Sequence, residues 1–457
     1  MRETKVLGRL GALLTLAGPI MVARAGILTM VMADVVMVGR YSAVELDYLV
    51  LALSLFVPIV VTGVGAINGI VVLIGRSFGA GDLKRCRDIL RRGIPWALVV
   101  GVAGALVLYS APALLSLLGQ SAALSANAGF AAQLLAPAIP LQLLFMVFAF
   151  LCEGTRRPGP VMIVMLFANG LNIGLNWILI GGVFGAPAMG AAGATLATTV
   201  VRVFFVVALC GWLFWSNYLG MRRVFLTQRV SRKKRHLWGP GGWRAGAEMR
   251  QLGVASSLGM FFETSSYAIL TQAAGWIGPP SLGAYGIVYN IEASTFMLSM
   301  GVAVATAVLA AGAVGARDLD ATRRWAWTGV GGLLVILGPF VIVLVINRTW
   351  ITGAYTDNAV ISSYAATLLL WASLWILFDG IQLILVRTGQ AIGDIWPVTM
   401  RLAIAHWCIA IPMAMLFAFG RGMDALGLVI GATIGVAIGS LLLALRFKQA
   451  LKQTSIK

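Results

Sequence analysis

The chain has 457 residues, 60% of them hydrophobic and only 11% charged, with a mean hydropathy of +0.93. A water-soluble domain is about 45–50% apolar and about 25% charged, so the composition excludes a soluble enzyme. The net charge of +18, from 34 Lys and Arg against 16 Asp and Glu, would point to nucleic acid in a soluble protein; in a membrane protein the same excess collects in cytoplasmic loops.

A helix needs about 20 apolar residues to cross about 30 Å of hydrocarbon, and breaks at charged and Gly/Pro-rich positions divide the chain into twelve such segments. The N-terminus, MRETKVLGRLGALLTLAGPIMVARAG, has no A-x-A-like cleavage site and runs directly into the first span, at 11–35, so a removed leader is not expected. This span holds Pro19, Arg24 and Asp34. The second and third, at 50–75 and 93–118, flank Gly79-Ala-Gly-Asp-Leu83 and a run of basic residues. The fourth, at 127–152, ends on Cys152-Glu-Gly154. The fifth, at 160–183, carries Asn169, Asn172 and Asn176, the last two four apart and therefore on one helical face. The sixth, at 190–215, opens on Met189-Gly-Ala-Ala-Gly193.

The longest loop, 216–250, contains Ser231-Arg-Lys-Lys-Arg-His236. A juxtamembrane basic run is explained by anionic lipid, without a nucleic-acid partner. Beyond it lie spans at 251–277 (Glu263), 282–313 (Tyr285, Tyr289 and Glu292), 326–347, 360–387 (Trp375 and Asp379), 397–419 (His406) and 426–445. With both termini inside, only Arg40, Arg348 and Arg421 face outward, and Arg24 and Arg202 fall within spans; every other Lys and Arg lies on the cytoplasmic side. A missed span would scramble that asymmetry.

The basic loop separates halves that echo each other: an N-terminal six-helix lobe at 1–215 and a C-terminal one at 251–457, with 216–250 between. Gly79-Ala-Gly-Asp-Leu83 recurs as Gly315-Ala-Arg-Asp-Leu319, Gly154 aligns with Gly389, and Gly190 with Gly427. Six spans is an even number, so the halves share an orientation and are related by an axis along the membrane normal, as in transporters with parallel repeats. The expected fold is an all-α membrane protein of twelve transmembrane helices in two pseudo-symmetric six-helix bundles.

Ionisable groups inside spans are functional candidates, because a charge at mid-helix costs about 2.5 to over 10 kcal/mol. Asp34, Glu263, Glu292 and Asp379 qualify. Burial disfavours a charged carboxylate, so such a group can exchange a proton; ionised, it can bind Na⁺ with amide and carbonyl oxygens, or pair with a cationic substrate. The bland alternative is a carboxylate satisfied by an interhelical hydrogen bond or by a cation such as Arg24. The span-five amides suit either helix–helix hydrogen bonding or neutral ligation around Asp34. His406 reads as a hydrogen-bonded structural group. The aromatics are mostly packing, a few of them able to offer ring faces to an organic cation. No GxxxxGK[ST] phosphate loop occurs, and the four scattered cysteines have neither disulfide-framework nor zinc spacing. No cofactor is expected beyond H⁺ or Na⁺ as coupling ion, and no metal beyond possible Na⁺ at Asp34 or at Glu263 and Asp379.

Taken in order, these pieces resemble the multidrug and toxic compound extrusion (MATE) family along nearly the whole chain, most closely its NorM-like bacterial branch. The resemblance rests on Pro19, Val31-Met-Ala-Asp34, Val38-Gly39, Phe78-Gly-Ala-Gly-Asp82, Cys152-Glu-Gly154, Leu171-Asn-Ile-Gly-Leu-Asn176 and Met189-Gly-Ala-Ala-Gly193. In the second half it continues through Phe261-Phe-Glu263, Phe296-Met297, Gly301, Ala305-Thr306, Asp379 and Gly389. It implies two lobes that alternate between outward- and inward-open states and a secondary antiporter that exports cationic, amphipathic or zwitterionic organic compounds against inward H⁺ or Na⁺. It further implies a cation site at Asp34, Asn172 and Asn176 and a second at Glu263 and Asp379. Three departures mark candidates for the substrate cavity together with Tyr289: Arg24, where the family is neutral; Glu292, where it is small or polar; and Trp375, where a tyrosine is implied.

The implied setting is the bacterial inner membrane, multi-pass, with both termini cytoplasmic, as a monomer whose partners are the bilayer and a small organic solute. The alternatives are a dedicated exporter or flippase of one endogenous metabolite or amphiphile, disfavoured in its lipid-linked-precursor form by the count of twelve spans, and a membrane-embedded enzyme. With two histidines in the chain and no nucleophile–base pairing, the enzyme reading has little to stand on.

Overall fold

A computed structural model describes residues 2–220 and 242–456, almost entirely as helix. The basic run Ser231–His236, and most of the loop that carries it, lies outside the described residues. Eleven helices among the described residues are long and apolar enough to cross a membrane: α1 (Leu7–Tyr41), α2 (Ala43–Gly79), α3 (Leu83–Tyr109), α4 (Ala122–Gly154), α5 (Gly159–Gly181), α6 (Gly190–Trp215), α8 (Pro279–Gly315), α9 (Leu319–Ile346), α10 (Ala359–Ile392), α11 (Ile395–Gly420) and α12 (Asp424–Gln453). Between α6 and α8 lies α7 (Ala247–Ile277), 31 residues long. Its length suffices, but Glu263, Thr264, Ser265, Ser266 and Tyr267 in its middle lower its hydropathy. The chain is thus an all-α, multi-pass membrane protein with twelve spans in two pseudo-symmetric sets of six.

The helices overrun the apolar windows read from sequence, because their ends are capped by polar side chains. Ser42 accepts from Glu45 N at the start of α2, Asp82 from Arg85 N at α3, Asp318 from Ala321 N at α9, and Asn358 from Val360 N and Ile361 N at α10. Such caps supply acceptors for N–H groups that the first helical turn leaves unpaired. The third span ends at Tyr109, not near 118; the residues beyond form a separate short helix, Ala111–Leu117, with Pro112 in its first turn, where the missing N–H of proline costs nothing.

The repeat is visible in these ends, and two of its three sequence anchors shift. Asp82 and Asp318 cap equivalent helices, preceded by Gly81 and Arg317 with φ of +74° and +60°. After α4 the N–H of Arg157 reaches Cys152 O, and after α10 that of Asp394 reaches Gly389 O. Gly154 therefore corresponds to Ala391, and Gly389 to Cys152. At the starts of α6 and α12, Gly193 N bonds Met189 O and Gly427 N bonds Met423 O, so Met189-Gly-Ala-Ala-Gly193 matches Met423-Asp-Ala-Leu-Gly427 and Gly427 pairs with Gly193, not Gly190.

By packing, the chain divides into two compact units, Val22–Ser257 and Met1–Met21 with Leu258–Lys457. The lobes drawn at 1–215 and 251–457 follow chain order; the packing division instead falls within α1 and within α7. In the second unit Leu13 and Leu10 of α1 lie against Gly332 of α9. In that unit, too, α12 presents Gly427, Gly431 and Gly435 to Ala418, Ala414 and Ala410 of α11, while parts of α11, Ile404–Ala410 and Leu416–Gly420, are π-helical.

Candidate functional site

The Val22–Ser257 unit buries one carboxylate among neutral donors. Asp34, 3% exposed, projects from the outer part of α1. Asn172 and Asn176, one turn apart on α5, both donate Nδ2–H to its Oδ1, at 3.1 and 2.6 Å. Thr198 on α6 donates its hydroxyl to Oδ2 at 2.9 Å. The i, i+4 spacing of the two asparagines brings both amides to one oxygen, and Asn176 Nδ2 also lies 3.3 Å from Asn172 Oδ1. Asn176 Oδ1 has no hydrogen-bond partner, so an amide oxygen stands ready beside the carboxylate. One turn after Thr198, Arg202 is buried with Nε and Nη1 lacking hydrogen-bond partners, its guanidinium 5.0 Å from the Phe205 ring centroid. It acts electrostatically on Asp34 without forming an ion pair.

Asn169, the third amide of α5, instead bonds Met165 O at 2.9 Å. Arg24 pairs with Glu153 and not with Asp34: its Nη2 lies 3.1 Å from Glu153 Oε1, with side chains 12% and 2% exposed. In the sequence Glu153 stands only as part of Cys152-Glu-Gly154, at the end of α4.

The other unit gathers three acids. Asp379 on α10 is buried and accepts the Tyr267 hydroxyl of α7 at 3.0 Å. Trp375, one turn earlier and fully buried, points its Nε1 at the same hydroxyl from 3.4 Å. Trp375 thus reaches Asp379 through Tyr267. Glu263, one turn before Tyr267 on α7, and Glu292 on α8 both feel the Asp379 charge, and Arg387 of α10 acts on Glu263. Neither glutamate carboxylate receives a hydrogen bond from a described side chain, while the backbone oxygen of Glu292 accepts the Thr295 hydroxyl at 2.7 Å. Tyr289, half-buried on α8, packs edge-on to Tyr267 with centroids 6.1 Å apart and stacks with Tyr285 at 6.5 Å. His406 closes the back of the group: its ring lies 5.5 Å from Tyr267, and Nε2 donates to Gln382 Oε1 at 3.1 Å, since a carbonyl oxygen can only accept.

Among the described residues no three His, Cys, Asp or Glu are grouped closely enough to hold a metal ion, so the three acids are electrostatic neighbours, not a preformed ligand shell. The positions sequence reasoning missed are Thr198, Arg202, Tyr267 and Glu153 as partners. Their helical spacing, with Thr198 one turn from Arg202 and Glu263 one turn from Tyr267, places each pair on one face but does not name the helix that face meets.

A family profile described as MatE matches residues 19–178 and 255–416. The chain is similar to a probable multidrug resistance protein NorM of Caulobacter vibrioides, 30% identical over 437 residues that cover 95% of this chain and 90% of that one. It is also similar to the multidrug resistance protein NorM of Vibrio parahaemolyticus, 26% identical over 443 residues, covering 96% and 94%. Among solved structures it superposes on an outward-facing multidrug resistance MATE family transporter of the MOP superfamily with a TM-score of 0.87, 18% identity and coverage of 98% and 97%. On the eukaryotic MATE transporter AtDTX14 the TM-score is 0.83, with 21% identity and 98% of each chain covered.

Proposed function

This chain belongs to the MATE family, and from that premise we propose that it is a secondary active antiporter that exports organic compounds from the cytoplasm by alternating access, driven by inward H⁺ or Na⁺. The observation that carries the reading is the burial of carboxylates at the membrane-spanning level without ion-paired partners: Asp34 among amides and a hydroxyl, and Asp379 on a tyrosine. A structural role alone would favour an apolar residue there, because an unpaired charge within a span costs kilocalories. A role in cation exchange needs a group whose charge can be neutralised and restored.

In this mechanism H⁺ or Na⁺ neutralises Asp34, Glu263 and Asp379 and favours the state with low affinity for the solute; loss of the cation favours the other. Each ligand shifts the switch only by its differential affinity for the two states. Asn172 and Asn176 orient Asp34 and offer Asn176 Oδ1 to a bound cation. Arg24, Tyr289, Glu292 and Trp375 are proposed to shape what the cavity accepts; Trp375 acts from behind Tyr267. The aromatic faces and acids suit amphipathic cations and zwitterions. The protein works as a monomer in the inner membrane, with its termini on the cytoplasmic side.

The test is transport in proteoliposomes under an imposed Na⁺ or pH gradient, with a panel of cationic and zwitterionic compounds. Asp34→Asn, Glu263→Gln and Asp379→Asn are each expected to cut gradient-driven transport at least tenfold while the protein still inserts and purifies as one species. Wild-type transport by all three variants would refute the mechanism.

A further inference from the structure

Away from both carboxylate groups, the unit formed by Met1–Met21 and Leu258–Lys457 holds an open cavity of about 590 Å³ where α1 crosses α9. One end is basic: Arg9 of α1 and Arg323 and Arg324 of α9 line it, with Asp320 as the opposing acid. Arg324 is shared with Asp318 through an exposed contact of 3.5 Å. The other end is apolar, running past Trp327, Thr328, Gly331 and Gly332 to Val335. Gly331 faces open space, where even an added Cβ would meet nothing within 4 Å, and Val335 is 57% exposed. Arg9 and Arg324 also border a neighbouring cavity of about 620 Å³ together with Trp325.

We propose that this groove is a binding site for one anionic phospholipid, with its phosphate on Arg9, Arg323 and Arg324 and one acyl chain along Gly331 to Val335. The length decides for a lipid over a soluble anion. From Arg324 to Val335 is eleven residues, about 16 Å at 1.5 Å per residue, which matches half of a hydrocarbon core about 30 Å thick. A free phosphate would need only the basic end and would leave the apolar channel without purpose. Trp327 stands between the charged and apolar parts of the groove, at the depth where amphipathic rings sit in a membrane. Among the described residues Arg9, Arg323 and Arg324 outnumber Asp318 and Asp320, and the net positive charge at the mouth complements an anionic headgroup and not a zwitterionic one.

Native mass spectrometry of the full protein, extracted from phosphatidylcholine vesicles with and without phosphatidylglycerol, tests the site. Wild type is expected to keep one phosphatidylglycerol through delipidation. The triple variant Arg9→Gln/Arg323→Gln/Arg324→Gln is expected to bind it about 100-fold more weakly, the loss of three membrane-facing cations. Lys84→Gln/Arg85→Gln/Arg91→Gln, which removes the same charge elsewhere, is expected to retain it. Gly331→Trp fills the channel while leaving every charge in place, and is expected to expel the lipid from a protein that remains monodisperse. Equal retention by the first triple variant and wild type would overturn the proposal, as would retention by Gly331→Trp. Displacement of the lipid by millimolar inorganic phosphate would overturn it too, by identifying a soluble-anion site.

Discussion

Individual residues divide into those whose role a single position betrays and those defined by a partner. A carboxylate at mid-span announces itself, because composition makes charge rare there and physics makes it costly; Asp34, Glu263, Glu292 and Asp379 were legible on that ground. Beyond Asn172 and Asn176 at Asp34, their partners were not, since these come from other helices: the Thr198 donor for Asp34 and the Tyr267 donor for Asp379; likewise Glu153 is the acceptor for Arg24. Hydroxyls are common in spans, so nothing in the type alone distinguishes Thr198 from its neighbours. The Arg24–Glu153 pair gives a measurable consequence. Glu153→Gln leaves a buried guanidinium without its counter-charge, a loss of about 3–5 kcal/mol when one member of a buried pair is removed. The double variant Arg24→Met/Glu153→Met removes both charges and is expected to recover much of it. Thermal unfolding midpoints in detergent report the difference: the single variant falls well below the double. Equal midpoints would show that the ion pair has no structural role.

At the scale of the helix, apolar length made all twelve spans legible, including α7, whose polar middle keeps it below the hydropathy of the others. Ends were less legible. Caps such as Asp318 and Asn358 extend helices into polar sequence, and Ala111–Leu117 turns away as a separate helix just where apolar composition predicts continuation. The repeat register also slipped by two or three residues at two anchors, because in a glycine-rich chain residue identity does not fix the register, whereas backbone geometry matches Gly154 to Ala391 and Gly427 to Gly193. Those glycines are set by close approach. Along α12, Gly427, Gly431 and Gly435 meet the Ala418, Ala414 and Ala410 backbone of α11, a small-residue seam of the kind that drives helix association in lipid. Gly431→Val is therefore expected to destabilise by at least about 1–3 kcal/mol, the usual cost of overpacking. Gly211→Val on α6, where nothing lies within 4 Å of an added Cβ, serves as control and is expected to behave as wild type. Retention of fluorescence-detected monodisperse protein on heating separates the two; equal thermal profiles would deny the seam its role.

Across the whole molecule the two halves repeat in backbone but not in charge. Counted from the helix ends, Asp379 corresponds to Gln142, a buried amide with its Oε1 unpartnered, and the first half sets Arg202 beside Asp34. The second half instead concentrates Glu263, Glu292 and Asp379, with Arg387 acting on Glu263. A group of three acids and one nearby arginine carries excess negative charge when ionised, and closing it from water requires cations from solution. Asp34, on which Arg202 acts without an ion pair, is partly offset. Most of the H⁺ or Na⁺ released when substrate binds is therefore expected to come from the second half. Release can be measured on purified protein with a pH-sensitive dye in weak buffer and with a sodium tracer. Glu263→Gln and Asp379→Asn should each remove more of the signal than Asp34→Asn does. Arg202→Met tests the same logic in reverse: stripped of its internal cation, Asp34 must draw one from solution, so release should rise above wild type. A uniform loss across the three carboxylate variants, with no gain from Arg202→Met, would mean that the charge asymmetry does not govern which half exchanges the coupling ion.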